Sequence, residues 1–328
     1  MSAREAWPPA ADRPAAVRIA AIVLNYRTSD LTLAAVRSLA ADLDPARDAI
    51  VVVDNHSADG SWEPLRAALE QARWRVSVRL VPAQWNGGFA CGNNLGIAAV
   101  EAQAYLLLNS DACVTPGAAA ALWDALEQHP TVGLAGPLVL AEDGTPQPST
   151  FHDRTPWNEL LRTARSRLLS RMLRPLGVMD VVALPAGPAR EVERLSFVCV
   201  LLRGAMVRAI GLLDEGYFMY MEDNDYCRRG RAQGWRSWYC PAASAVHLNR
   251  GWSGRPCERQ PAYYYESRAR YFRRYYGPGG LLLANLLWTL GWAASRAGEW
   301  VTGRRRPAAA HATRDVWRWS YRRPPQRM

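Results

Sequence analysis

The 328-residue chain contains no lysine: all 40 of its basic side chains are arginine, set against 30 acidic ones for a formal charge of +10. It also lacks any CxxC pair. Its six cysteines, Cys91, Cys113, Cys199, Cys227, Cys240 and Cys257, are scattered, which excludes a zinc framework or a disulfide scaffold and fits a reducing compartment. No apolar run reaches the roughly 20 residues that cross a bilayer. The best candidate, the helical stretch Leu281 to Ala294, has 14 residues and includes Asn285 and Gly291. Residues 1–16, rich in Ala and Pro, lack the apolar core of a secretion signal and read as a disordered leader before a cytosolic protein. With 49% apolar and 21% charged residues, the chain is neither a disordered tail nor a fibrous repeat, and one or two globular domains are expected.

The charge is unevenly placed. Residues 151–174 and 255–274 each carry +4, and the tail 303–328 carries +7 from eight arginines against Asp315, so the remaining body sums to −5. A basic excess invites a nucleic-acid partner, and Trp317, Trp319 and Tyr321 alternate with arginine in the tail. That alternative leaves the acidic body unexplained, and no nucleic-acid partner is expected.

Alternation of strand and helix signals dominates the first 130 residues. Apolar runs at 18–25, 50–53, 76–81 and 104–108 read as buried strands, and stretches at 31–43, 61–73, 93–102 and 116–128 read as helices. Strand, helix, strand within about thirty residues is a βαβ unit, so a Rossmann-like, mostly parallel sheet with helices on both faces is expected. Ligands of such sheets bind beyond the carboxyl ends of the strands. The polar residues there are Asn25, Asp54-Asn55 and Asn109-Ser110-Asp111.

Several constellations could carry chemistry. Asp54, at a strand end, can accept the imide N–H of a pyrimidine base or hold its own turn. Between Asn86 and Asn94 the glycines permit close backbone approach, while the asparagines supply donors and acceptors. Asp111 can hold Mg²⁺ or Mn²⁺ against a diphosphate or cap the next helix, and His247 is its candidate partner. Glu222-Asp223-Asn224-Asp225 follows the aromatic run Tyr217-Phe218-Met219-Tyr220. A carboxylate against such a wall can serve as a general base, and an acidic N-terminal helix turn is the structural alternative.

As an ordered set, Val-Leu-Asn-Tyr, Val-Val-Asp-Asn-His-Ser-Ala-Asp-Gly-Ser, Asn-Gly-Gly-Phe-Ala-Cys-Gly-Asn-Asn, Asn-Ser-Asp, Glu-Asp-Asn-Asp and His-x5-Ser resembles family 2 glycosyltransferases, especially rhamnosyltransferase-like members. The resemblance implies a GT-A fold over residues 17–276, an inverting mechanism, a nucleotide-diphosphate sugar donor (dTDP- or UDP-linked) and a divalent cation. It implies Asp223 as catalytic base and Asp111 and His247 as metal contacts. Asn25, Asp54, Asn86, Gly88, Asn93, Asn94, Asn109 and Asp111 would line the nucleotide sugar, with Glu222, Gly204, Ala205, Trp252 and Ser253 supporting the acceptor side. Two departures stand out: Arg27 follows Asn-Tyr where many members have Asn, and Asn109 leaves Asp111 as the only carboxylate of its triplet.

The acceptor is expected to be a glycan or polyprenyl-linked sugar in cell-envelope polysaccharide synthesis. An amphipathic helical insertion at 151–195, the aromatic-basic stretch at 263–276 and an apolar helix within 277–302 are expected to place the enzyme peripherally on the anionic inner face of the cell membrane, followed by the basic tail 303–328. Self-association into a homodimer is the remaining partner expectation.

Overall fold

The computed structural model describes residues 17–164, 187–248, 259–302 and 311–322. Two compact units emerge, and their boundaries interleave along the chain. The first holds residues 17–151, 187–215 and 226–248; the second holds 152–164, 216–225, 259–302 and 311–322.

The first unit is a mixed α/β body around a nine-stranded sheet ordered β3-β2-β1-β4-β10-β6-β11-β5, with β8 beside β11. In chain order the strands are β1 (Val17–Asn25), β2 (Ala49–Asp54), β3 (Ser77–Pro82), β4 (Ala102–Asn109), β5 (Ala112–Val114), β6 (Val132–Leu140), β8 (Arg190–Val192), β10 (Cys199–Arg203) and β11 (Arg236–His247). A separate short pair joins β7 (Thr150–Phe151) to β9 (Arg194–Leu195). Strands β3, β2, β1 and β4 are mutually parallel, β10 runs against both β4 and β6, and β11 is parallel to β6. Six strands of this mostly parallel sheet therefore point the same way and end on one edge.

Both faces are covered, which is why β2 reads as an uninterrupted apolar run. Along β1, Ile19, Ala21 and Val23 enter one core with Leu39 and Leu122, while Ala20 and Ile22 enter the opposite core with Ile97 and Tyr226. The helices are α1 (Ser29–Asp42), α2 (Trp62–Gln71), α3 (Gly88–Ala98), α4 (Ala118–Gln128) and α6 (Gly204–Ile210). Helix α3 seats unusually close to the sheet. A Cβ at Gly92 would lie 2.3 Å from Leu24, and one at Gly96 would lie 2.5 Å from Ile22.

The second unit contains α5 (Pro156–Ala164), α8 (Ala262–Thr302) and α9 (Ala312–Ser320). Helix α7 (Glu222–Ala232) contributes only its first turn there, the remainder belonging to the first unit. Helix α8 breaks at Gly277, whose φ of 68° and ψ of −176° suit only glycine, and Pro278 adds a residue without an N–H. Its core gathers Tyr217, Met221, Tyr264, Tyr265, Tyr271, Phe272, Leu281, Ala284, Trp288 and Val316. The aromatic-basic stretch 263–276, expected on the surface, thus supplies much of a core. Two of its margin charges are buried as well: Arg154 and Arg268 both pair with buried Glu159, at 2.8 Å and 2.7 Å. Of the expected helical insertion at 151–195, α5 is helical, residues 190–192 and 194–195 are strand, and 165–186 lie outside the described residues.

Candidate functional site

The common carboxyl edge of the sheet gathers several of the expected residues within the first unit. Asn25 and Asp54 are directly opposite one another in the β1–β2 register, and both are buried. Asn25 donates from Nδ2 to Asp54 Oδ1 at 2.7 Å, and Ser57 Oγ donates to the same oxygen at 2.6 Å. The Ser57 backbone N–H reaches Asp54 Oδ2 at 3.1 Å. Asp54 therefore locks two strand ends and the following turn together, and Oδ2 retains acceptor capacity for a ligand donor.

The loops around it are held in costly backbone conformations. Arg27, His56 and Ala58 all have positive φ, at 57°, 57° and 49°. Such residues each cost of order 1–3 kcal/mol and persist where surrounding contacts over-determine them. Here Arg27 donates its backbone N–H to Ser57 Oγ and its Nε–H to the Ser57 carbonyl.

Asn55 joins this turn to the glycine-rich loop. Its Nδ2 donates to Asn86 Oδ1 at 2.9 Å, its Oδ1 accepts from the Gly87 N–H at 3.2 Å, and Asn86 Oδ1 also accepts from the Gly88 N–H at 3.0 Å. Further along α3, Asn93 donates to the Phe89 carbonyl. Asn94 spends its amide on the 213–215 loop, donating to the Leu213 carbonyl and Glu215 Oε1 while accepting the Leu213 N–H. Burial pushes the Cys91 thiol on this helix up to about 11, so it acts as packing and not as a nucleophile.

Asp111 and His247 meet at the far part of the same edge. Strand β5 pairs antiparallel with the end of β11, placing Ala112 opposite His247. His247 Nε2 stands 3.3 Å from Asp111 Oδ1, yet this buried nitrogen has no hydrogen bond among the described residues. On the other side of the ring, Nδ1 lies 3.2 Å from Gln147 Oε1. An amide oxygen can only accept, so Nδ1 donates to Gln147, and Nε2 faces the carboxylate. A carboxylate and an imidazole nitrogen side by side, with the ring oriented by an outer partner, fit a divalent cation. No group of three or more His, Cys, Asp or Glu that could hold a metal occurs among the described residues. A cation held there would need its remaining ligands from diphosphate oxygens and water. Asn109 follows as the last residue of β4, and neighbouring Ser110 accepts from Thr28 Oγ1.

The second unit carries the acidic motif. Tyr220 and Met221 adopt consecutive positive φ values of 71° and 70° immediately before Glu222. Stacking of Tyr220 on Tyr263, with ring centroids 6.1 Å apart, and burial of Met221 hold this bend. The three carboxylates of the motif then diverge in environment. Asp225 is fully buried, accepting from Tyr275 Oη at 2.7 Å with Arg274 nearby. Glu222 is buried, and burial together with the charge of Asp223 holds its carboxyl well above the usual carboxylate range. Asp223 alone of the three is only partly buried; its Oδ1 accepts from the N–H and Nδ2 of Asn224, both at 2.8 Å.

The Glycosyl transferase family 2 model matches residues 20–174. An N-acetylglucosaminyl-diphospho-decaprenol L-rhamnosyltransferase of Mycobacterium tuberculosis is 30% identical over 234 residues, which span 63% of this chain and 68% of that protein. The chain belongs to glycosyltransferase family 2. A low-salt glycan biosynthesis hexosyltransferase of Haloferax volcanii is 23% identical over 235 residues, 69% of this chain and 66% of that one. In fold, the transferase is similar to a mannosyltransferase from Pyrobaculum calidifontis solved with GDP-Man and Mn²⁺, at a TM-score of 0.55 and 17% identity, covering 96% of this chain and 85% of that one. The architecture is thus GT-A, and divalent metal use is typical of it.

Some residues fall elsewhere than the sequence implied. Gly204 and Ala205, expected beside the acceptor, follow β10, which runs against β4; they stand at the opposite edge of the sheet from Asn109. A Cβ at Gly204 would sit 2.6 Å from the Ala102 carbonyl oxygen, so this glycine serves helix-to-strand approach. Trp252 and Ser253 lie outside the described residues. The sequence marked Asn55 only as a strand-end polar residue, and Ser57 and Gln147 were not singled out. The first two sit in a quoted motif beside Asp54; Gln147 sits in an irregular Gly/Pro stretch with no periodic signal to single it out.

Proposed function

We propose that this transferase is an inverting enzyme moving a hexose, rhamnose by preference, from a dTDP- or UDP-linked donor to a hydroxyl of a polyprenyl-diphosphate-linked glycan. The reaction would serve cell-envelope polysaccharide synthesis at the cytoplasmic face of the membrane. The mycobacterial relative, an N-acetylglucosaminyl-diphospho-decaprenol L-rhamnosyltransferase, supports both the sugar and the lipid-linked acceptor. The observation that carries the chemistry is the division of the acidic motif, in which Glu222 and Asp225 are buried and Asp223 alone is partly open to solvent.

In this reading Asp223 accepts the proton of the acceptor hydroxyl as the oxygen attacks the anomeric carbon from the face opposite the diphosphate. The new C–O bond forms as the bond to the diphosphate oxygen breaks, inverting the configuration. Asn25, Asp54 and Asn109, with the Asn86–Gly88 loop, would border the nucleotide, while Asn93 and Asn94 position α3 and the 213–215 loop. Asp111 and His247 would hold Mg²⁺ or Mn²⁺, which supplies neutralisation of charge on the departing diphosphate. Incubation of the purified chain with dTDP-rhamnose, Mn²⁺ and detergent-solubilised polyprenyl-diphospho-N-acetylglucosamine tests the assignment. The expected product carries one added hexose with the anomeric configuration opposite to the donor's. Retention of configuration, or transfer only from other donor classes, would contradict it.

A further inference from the structure

The part of α8 after its break carries an open apolar face. No charged residue occurs from Pro278 to Ser295. On an α-helix each residue advances about 100°, so positions fall into distinct sectors. Leu281, Ala284, Leu287 and Trp288 are buried in the second unit's core or against it. Gly291 takes α5, since a Cβ there would lie 2.4 Å from the Leu160 carbonyl oxygen. Helix α9 closes a flank, with Trp317 Nε1 donating to Thr289 Oγ1 at 3.0 Å. The remaining sector bears Leu282, Leu283, Leu286 and Leu290, which are 45%, 37%, 46% and 58% exposed. Four large apolar side chains aligned on one uncovered stripe are uncommon on a soluble surface.

The charge around this stripe has one sign. Between residues 267 and 322 the only acids are Glu299 and Asp315, both buried and paired to Arg296 and Arg259. Every exposed charge of that span among the described residues is therefore an arginine, including Arg273 before the break and Arg314, Arg318 and Arg322 on or beside α9. Exposed Trp300 and Tyr321 add amphipathic rings suited to a headgroup layer. No helix of the described residues is long and apolar enough to cross a membrane. An apolar stripe rimmed by arginine belongs to a helix lying in the plane of an anionic interface.

We propose that the Leu282–Leu283–Leu286–Leu290 face of α8 docks the transferase on an anionic lipid bilayer. The inference rests on the membrane placement proposed above and names the surface responsible. The test is flotation of the full-length chain with vesicles of equal parts phosphatidylglycerol and phosphatidylethanolamine. A L286E/L290E variant, altered only at exposed positions and checked by circular dichroism, is the comparison. Each buried leucine contributes about tenfold in partitioning, so the double variant should lose about 100-fold or more. A Leu286→Trp variant should still float, with its added fluorescence quenched by brominated lipid. Flotation of L286E/L290E like the parent would overturn the proposal, as would a parent that does not float but elutes as a dimer broken by the same substitutions. Transfer to a detergent-solubilised acceptor separates the two readings. A double variant that keeps transfer but loses flotation upholds both, whereas a parent that floats yet uses no lipid-linked acceptor upholds the docking face alone.

Discussion

Replacing Glu159 with glutamine probes how the second unit tolerates its buried charge. Glu159 is fully buried; Oε1 accepts from Arg154 Nε and Nη2 at 3.0 Å and 2.8 Å, and Oε2 accepts from Arg268 Nε at 2.7 Å. Arg268 is itself fully buried and also donates to Asn285 Oδ1. The substitution leaves two guanidinium groups without their counter-charge and turns an amide N–H₂ toward donors. Removing one partner of a buried pair costs about 3–5 kcal/mol, a large share of the ~5–15 kcal/mol that stabilises a domain. At a urea dependence of ~2 kcal/mol per molar, the midpoint of the second unit should fall by about 1.5–2.5 M. Tryptophan fluorescence reports this unit through Trp157, Trp288, Trp292 and Trp317. A combined Glu159→Leu, Arg154→Met, Arg268→Met variant, which removes the charges together, should recover most of the loss. A midpoint for Glu159→Gln within about 0.3 M of the parent would refute the assignment of this hub as a buried ionic cluster.

Other consequences are open to measurement. Gln147→Ala removes the acceptor that orients the His247 ring and should weaken Mn²⁺ affinity about 10- to 100-fold, read by isothermal titration with nucleoside diphosphate present; unchanged affinity would remove His247 from the metal site. Gly96→Ala drives a Cβ against Ile22 and should destabilise the first unit by about 1–3 kcal/mol in urea unfolding, whereas substitution at exposed Gly298 should not. The raised Glu222 carboxyl means that the folded state holds a proton the unfolded state releases. Its stabilising contribution is therefore complete below the ordinary glutamate range and declines as pH rises through the folded value. Glu222→Gln should flatten this part of the stability–pH profile and leave the chain more stable than the parent at alkaline pH.

The half of the fold built from βαβ units was legible because its strands are buried on both faces and end abruptly in polar residues. Asn25, Asp54 and Asn109 fell at strand ends, as the runs before them indicated. Strand β5 is only three residues long, Ala112-Cys113-Val114, and gave no periodic signal. Yet its pairing with β11 is what brings Asp111 to His247. The reversed direction of β10 is set by long-range pairing that leaves no local signal, and it puts Gly204 at the edge away from Asn109. Charge counting correctly located basic segments but could not distinguish an arginine in solvent from Arg268 against Glu159. Residues 263–276 of α8 point to a surface in sequence because their Tyr side chains are amphipathic. Packing around Tyr217 and Phe272 turns that same composition inward.

The central claim is that Asp223 takes the proton of the acceptor hydroxyl while Glu222 and Asp225 shape its surroundings. The direct measurement is the single-turnover rate of Asp223→Asn, with nucleotide-sugar affinity and urea stability determined on the same preparation. The account predicts a rate lower by about 100- to 10,000-fold, with donor affinity and stability near those of the parent. Transfer within a few-fold of the parent rate, at matched donor binding and stability, would contradict it.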